Sequence, residues 1–373
     1  MKKVGLTTIY SVPNYGSVLQ TFATQETLKK LGCDCYIINY KYPNKWHYKQ
    51  GTPKPKFSSK IAYLLGVKPY HRKALKLNKF KKKYFNFTPI YNNLKELEQN
   101  KWDDYDWIIA GSDQVWNPKF LKGDTAFMLS YLPNNIKRFS LASSFACNSL
   151  PEEYTATYKK YLSRFDYISV REENGINILQ NELSINKNIE VLLDPTLLLS
   201  KEEWLQLIPR STFRKKKPYI LFYMLDYAFD PKPYIFNVTQ YFADSFNYEV
   251  IILEGYIPEA LHKTLKITDK TDASVEEFID LYQNADLVIT SSFHGSAFAV
   301  NFGIPLISIT SKDKSDDRQS TLLKNIGLDQ CIIKKETPIE IINPFYDADI
   351  EQKQLNNKRK ESLNWLTRTI NSL

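Results

Sequence analysis

The hydrophobic positions of this chain fall into short apolar runs separated by stretches of helical periodicity. Val4 to Ile9, Cys35 to Asn39, Tyr105 to Ala110, Arg138 to Phe145, Tyr167 to Val170 and Val191 to Leu193 read as strands. A second series follows: Tyr219 to Leu225, Val250 to Leu253, Leu287 to Thr290, and a strand opened by Pro305. Such runs, bounded by turn residues, suit strands buried on both faces of a parallel sheet. Between them the spacing predicts helices over Val18 to Leu31, Val275 to Gln283 and Gly295 to Phe302, with Gly32 and Gly303 as their stops. A charged amphipathic helix runs from Ile350 to Leu373. Strand and helix alternate in both halves, which predicts an α/β chain of two Rossmann-like domains.

The sharpest pattern is residues 285–309, which read strand, tight turn, helix, strand. In such a unit the strand's carboxyl end and the helix's amino end meet at a ligand crevice. The N–H groups and dipole of the helix favour an anion there. His294 stands at that point beside Ser291 and Ser292, both good N-cap types. A lone His is more often structural, but this one lies where α/β proteins bind ligands. Three other turns follow strands in the same way. Asn14-Tyr15-Gly16-Ser17 reads as a plain loop with a permissive glycine or as a second crevice. In Gly111 to Pro118, Ser112 and Asp113 suit a helix cap, or Asp113 binds sugar hydroxyls while Trp116 stacks on a ring face; the plainer alternative makes Trp116 core. Arg171 is a cation just past a strand end, where anions bind.

A chain of 373 residues is long for one core, so two domains are expected. The boundaries read as 1–210 and 218–345, joined by a basic, Pro-containing linker at 209–217, with 346–373 as a terminal helix. Met1 to Tyr10 does not form a secretory apolar core, and no stretch of 18 apolar residues offers a membrane span. Cys33, Cys35, Cys147 and Cys331 have neither zinc nor redox spacing and read as reduced core thiols of a cytoplasmic protein. The net charge of +9 is uneven: residues 35–95 hold fifteen Lys or Arg and no Asp or Glu. Within the basic insert 41–95, Tyr70, Ala74, Leu77, Phe80 and Tyr84 form one helical stripe, with Arg72, Lys73, Lys76, Lys79 and Lys81 to Lys83 mostly off it. A solvated face is the plain reading, and residues 41–84 docking on an anionic membrane at its inner face is the sharper one. No helix-turn-helix, RNP-type or zinc pattern supports nucleic acid.

Taken in order, Val12-Pro13-Asn14-Tyr15-Gly16-Ser17-Val18-Leu19-Gln20, Gly111 to Pro118, Ser169-Val170-Arg171-Glu172-Glu173 with Gly175, Asp194-Pro195-Thr196, and Asp286 to Gly295 with Gly303-Ile304-Pro305 resemble the polysaccharide pyruvyl transferase family. No one of these motifs is specific, but five in order are. The resemblance implies two Rossmann-like domains in a glycosyltransferase-B-like arrangement, with the active site in the interdomain cleft. It implies transfer of the pyruvyl group of phosphoenolpyruvate, a co-substrate with no further cofactor or metal, onto two hydroxyls of a sugar or lipid-linked oligosaccharide. The product is a cyclic ketal on a capsule, exopolysaccharide or other surface glycan.

The donor wants cations and helix amino ends for its carboxylate and phosphate, and the chemistry wants an acid/base titrating near neutrality. His294 matches the family's functional His, and Arg171 a family Arg proposed for the donor, the two expected within reach of each other across the cleft. Ser291, Ser292, Gly295 and Arg318 complete the expected donor side; Asn14, Tyr15, Gly16, Ser17, Ser112, Asp113, Trp116 and Asn117 form the expected acceptor wall in the first domain. One departure is Ser292, where many members carry Arg; Arg318 is the expected replacement, and the donor's identity stays open on this point. The alternatives are a glycosyltransferase of the same architecture using a nucleotide sugar, and a binding scaffold with a dead site.

Overall fold

Two parallel sheets form from the apolar runs, one in each half of the chain. The computed structural model describes residues 1–41, 62–311 and 318–372. In the first half, β1 (Lys2–Thr7), β2 (Cys33–Ile37), β3 (Trp107–Ala110) and β4 (Arg138–Ser140) lie in the order β2-β1-β3-β4. A parallel pair, β5 (Ile168–Val170) and β6 (Ile189–Val191), continues from β4 through bridges of Phe139 with Tyr167 and Ser143 with Val170. The order therefore reverses once, between β1 and β3. Val4, Leu6, Trp107, Ile108, Ile109 and Phe139 are all buried, as strands covered on both faces require.

The second half builds a six-stranded parallel sheet from β7 (Tyr219–Tyr223), β8 (Glu249–Glu254), β9 (Ile267–Asp269), β10 (Leu287–Thr290), β11 (Leu306–Thr310) and β12 (Ile332–Lys334). Its order, β12-β11-β10-β7-β8-β9, is that of the dinucleotide-binding fold, with the reversal between β7 and β10. β9 and β12 carry no sequence signal: each has three residues and ends on a charged one, too short for a period to register.

The compact units divide the chain differently from the sequence boundaries. The first gathers the described residues of Met1–Lys54, Lys81–Leu198 and Lys358–Leu373; the second gathers those of Pro55–Phe80 and Leu199–Asn357. The break falls at Leu198, not at 210, and the helix Ala348–Asn371 is shared. Its first half serves the second unit, where Gln352 Nε2 donates to Val300 O at 2.7 Å. Its second half serves the first unit: Arg359 Nε donates to Leu197 O at 2.6 Å, and Ser362 Oγ accepts from Leu193 N at 3.1 Å.

Residues 42–61 of the expected basic insert lie outside the described residues. The helix Pro69–Tyr84 forms as expected, and Ala74, Leu77 and Phe80 are buried, but Tyr70 at the head of the stripe is exposed and His71 is buried instead. Its cations are not a uniform solvated face. Arg72 pairs with Asp272 at 2.5 Å, Lys73 with Glu254 at 2.5 Å and Lys76 with Glu277 at 3.3 Å, all within the second unit. The acid-free stretch thus supplies counter-ions to acids carried elsewhere. Lys81 is buried, contrary to its place among the solvated lysines. Among the described residues no helix is long and apolar enough to cross a membrane.

Candidate active site

In the second unit, the turn after β10 is fixed by hydroxyl groups. Thr290 Oγ1 donates to Tyr223 O on β7 at 2.6 Å and accepts from Ser292 N at 3.0 Å. Ser291 Oγ donates to Leu225 O at 2.7 Å and accepts from Leu225 N at 2.9 Å. These bonds cross the point where the strand order reverses. Ser292 is the N-cap of the helix Phe293–Phe302, its Oγ accepting from Gly295 N at 3.3 Å, and Gly303 ends the helix at φ 67°. The helix opens two residues earlier than the apolar pattern suggests, which puts His294 inside its first turn, 7% exposed.

Gly295 is dictated by proximity. A Cβ there would lie 2.2 Å from Thr290 Oγ1, a hydroxyl already held from both sides. Behind the turn, Ser296 Oγ and Ser308 Oγ are 2.9 Å apart, and Gln319 Nε2 donates to Ser308 Oγ at 2.8 Å. This brings the start of the helix Arg318–Asn325 against the histidine turn, with Arg318 itself buried. Burial also pushes the phenol of Tyr282, which donates to Gly295 O, well above its ordinary range.

In the first unit, Asn14 caps the helix Tyr15–Lys30 by accepting from Ser17 N at 3.3 Å, and Ser17 Oγ donates to Asp113 Oδ2 at 3.2 Å. That bond joins the first turn of the helix after β1 to the loop after β3, across the other reversal of strand order. Asp113 holds a left-handed backbone, φ 69°, a conformation uncommon outside glycine and often found at functional sites. Tyr15 and Gly16 are buried in the first turn of the helix. Ser112 Oγ lies 2.8 Å from Ala142 O and 3.0 Å from Asp194 Oδ2.

Two sequence expectations are corrected here. Arg171, its side chain 2% exposed, does not present its guanidinium to a donor anion. Nη1 donates to Asp194 at 2.7 Å, Nε to Glu172 at 2.7 Å, and Nη2 stands 3.9 Å from Asp113. Three carboxylates around one buried guanidinium make it a tie between β5, the Asp194 turn and the β3 turn. Trp116 is no platform for a sugar: it is fully buried, packed on Phe145 and Phe165, with Nε1 donating to Phe127 O at 3.2 Å. Asn117 is occupied too, its Oδ1 accepting from Lys119 N and its Nδ2 donating to Gln114 Oε1. The hydroxyls of Ser291 and Ser292, expected on the donor, build the turn instead. Thr290 and Asp194, read in the sequence only as a strand end and a motif residue, turn out to organise the two turns. Asp194 accepts from Arg171, Ser112, Thr196 N and Thr196 Oγ1.

A cavity of about 640 Å³ between β6 and the C-terminal helix is lined by Glu190, Leu192, Trp365 and Arg368 among others and contains none of these residues. The polar turns at the strand ends are the better candidates, because each gathers several polar groups within its own unit.

Two parallel α/β units, each with a polar turn where its strand order reverses, give a fold like that of glycosyltransferase-B-type nucleotide-sugar enzymes. A glycosyltransferase from Rickettsia africae ESF-5 is similar over 100% of this chain and 99% of its own, at 12% identity and a TM-score of 0.53. A putative UDP-N-acetylglucosamine 2-epimerase from Listeria monocytogenes is similar over 99% and 91%, at 12% identity and a TM-score of 0.54. At such identity the likeness is one of fold. No curated protein matches the chain in sequence. The chain belongs to the polysaccharide pyruvyl transferase family, whose model matches residues 14–313. Membership makes it an enzyme of the pyruvyltransferase type in polysaccharide biosynthesis, with phosphoenolpyruvate as co-substrate.

Trp116→Phe is expected to lower unfolding stability by about 1–3 kcal/mol through lost volume and a lost hydrogen bond, while the acceptor KM stays unchanged. Chemical denaturation and steady-state kinetics check both, and a raised acceptor KM at unchanged stability would return Trp116 to the substrate. Gly295→Ala is expected to cost about 1–3 kcal/mol from overpacking against Thr290, read as a lower melting temperature. An unchanged melting temperature would contradict so close an approach of helix and strand.

Proposed function

We propose that the enzyme adds the pyruvyl group of phosphoenolpyruvate to two hydroxyls of one sugar of a surface glycan, with His294 as the acid/base. The observation that carries this reading is the place of His294: a buried imidazole in the first turn of a helix, directly after the strand at which the sheet order reverses. Protonation of the methylene carbon leaves an oxocarbenium-like carbon. One sugar hydroxyl attacks it and gives up its proton, and the second hydroxyl then displaces phosphate. Each ketal therefore releases one phosphate, and a group that both gives and takes a proton suits the two steps.

The amino end of the Phe293–Phe302 helix favours the donor's negative charge. Arg318, buried beside the bonded Gln319, is the cation assigned to the donor. Asn14, Ser17 and Asp113 are assigned to the acceptor, because Asp113 pairs a carboxylate with a strained backbone at the first unit's reversal point. Arg171 becomes a positioning residue that holds the Asp113 turn through Asp194.

His294→Gln is expected to lower turnover by about two orders of magnitude or more, measured as phosphate release from phosphoenolpyruvate with galactose- and N-acetylhexosamine-bearing acceptors. The wild-type melting temperature is expected to rise with phosphoenolpyruvate and not with nucleoside diphosphates. A fully active, folded His294→Gln enzyme removes His294 from the chemistry. Stabilisation by nucleoside diphosphates alone would favour a nucleotide-sugar glycosyltransferase.

Peripheral contact with an anionic membrane through residues 41–84 is a second proposal. Within the described residues its support is the apolar set Leu64, Leu65, Val67 and Tyr70, exposed by between 57% and 74%, beside exposed Lys68. Arg72, Lys73 and Lys76 are spent on ion pairs and add little to it. Co-sedimentation with anionic vesicles is expected at low salt and to weaken at high salt, each cation near the surface contributing about 1 kcal/mol. Equal sedimentation with neutral vesicles, or none at low salt, would reject it.

A further inference from the structure

Lys81 stands apart from the other cations of its helix. Arg72, Lys73 and Lys76 each have a carboxylate partner, whereas among the described residues no Asp or Glu lies in ion-pair range of Lys81. It is nonetheless 93% buried, at 7% exposure. Its ammonium carries three donors, yet among the described residues its one acceptor is Tyr10 O at 3.4 Å, long for a charge-assisted bond. The ring of Tyr10 lies 5.9 Å away, packed against Phe87. Burial alone pulls the ammonium down to about 8.

A buried cation without a counter-ion is costly, and an anion arriving at its unused donors removes much of that cost. The surroundings favour one. Tyr10 lies three residues beyond β1, at the first unit's reversal of strand order. Four residues after Tyr10, Asn14 caps the sixteen-residue helix Tyr15–Lys30, whose amino end is a second source of anion affinity.

We propose that Lys81 is the cation of a phosphate-binding site at the β1 turn of the first unit. Lysine acts on phosphate as a point charge and needs no planar partner, which fits a stem threaded through a packed interior. Only the choice of substrate bringing the phosphate rests on the pyruvyl-transfer reading. It is either phosphoenolpyruvate or the phosphate linkage of a carrier-bound acceptor.

The test compares melting temperatures of the full chain, as wild type, Lys81→Met and Lys81→Arg, with phosphoenolpyruvate and with inorganic pyrophosphate. The wild type should be stabilised by at least one of them. Lys81→Met should lose that shift while melting no lower than wild type without ligand, since it removes a buried charge. Lys81→Arg should retain the shift. A phosphoenolpyruvate shift that Lys81→Met abolishes assigns the donor, and abolition of the pyrophosphate shift alone assigns the carrier linkage. No wild-type shift with either anion, or retention in Lys81→Met of every shift the wild type shows, overturns the site.

Should Lys81→Met fail to fold, acylation of wild-type Lys81 by an amine reagent near pH 8 serves instead. At ten times its dissociation constant the anion should slow labelling about tenfold. Labelling indifferent to both anions refutes the proposal. Phosphate release from phosphoenolpyruvate is read separately, so a failure of the catalytic reading cannot be mistaken for a failure of the site.

Discussion

The hydroxyl of Thr290 decides how the second unit presents its histidine. It gives its proton to the carbonyl of Tyr223 and takes one from the amide of Ser292, so the ends of β7 and β10 and the start of the following helix are held by one oxygen. Every displacement of that oxygen would break one of two buried bonds. Gly295 follows from it, since no other residue lets the helix approach so closely. The direction of the helix, and with it the placing of His294, follows from Gly295. The rigidity of the turn that carries His294 therefore comes from hydroxyl groups bonded to backbone.

The first unit solves the same problem with charge. Asp194 collects donors from Arg171, Ser112 and Thr196, and Arg171 carries the restraint on towards Asp113. A buried guanidinium with carboxylates at its nitrogens is costly to assemble and more costly to leave half complete. Removing Asp194 would take from Arg171 one of its two partners at 2.7 Å, and removing Arg171 would take from Asp194 and Glu172 the guanidinium they share. Such a cluster fixes geometry better than it adds stability, and the geometry it fixes is the strained turn of Asp113.

Much of this was legible in the sequence, for identifiable reasons. Leu287–Thr290 coincides with the predicted strand because its apolar run is bounded by a polar turn on one side and helix residues on the other. Ser292 and Gly303 were readable as caps because capping depends on one side chain and one backbone angle, both local. The roles of Arg171 and Trp116 were not readable. Whether a cation after a strand faces solvent or a carboxylate depends on Asp194, 23 residues away. Whether an indole lies on the surface depends on Phe145 and Phe165, contributed by other elements. Lys81 was hidden for the same reason: its neighbours in sequence are lysines, and its neighbour in space is Tyr10.

The shared C-terminal helix bears on how the molecule is made. Leu193 and Leu197, near the end of the first unit's main segment, bond to Ser362 and Arg359. Those partners lie beyond the whole of the second unit in the chain. During synthesis these two bonds therefore cannot form until the second unit has left the ribosome. Domain-by-domain folding from the amino end, the usual order for multidomain chains, cannot by itself complete the first unit, because Lys358–Leu373 is made last. Cutting the chain at Leu198 would yield not a smaller domain but an unfinished one.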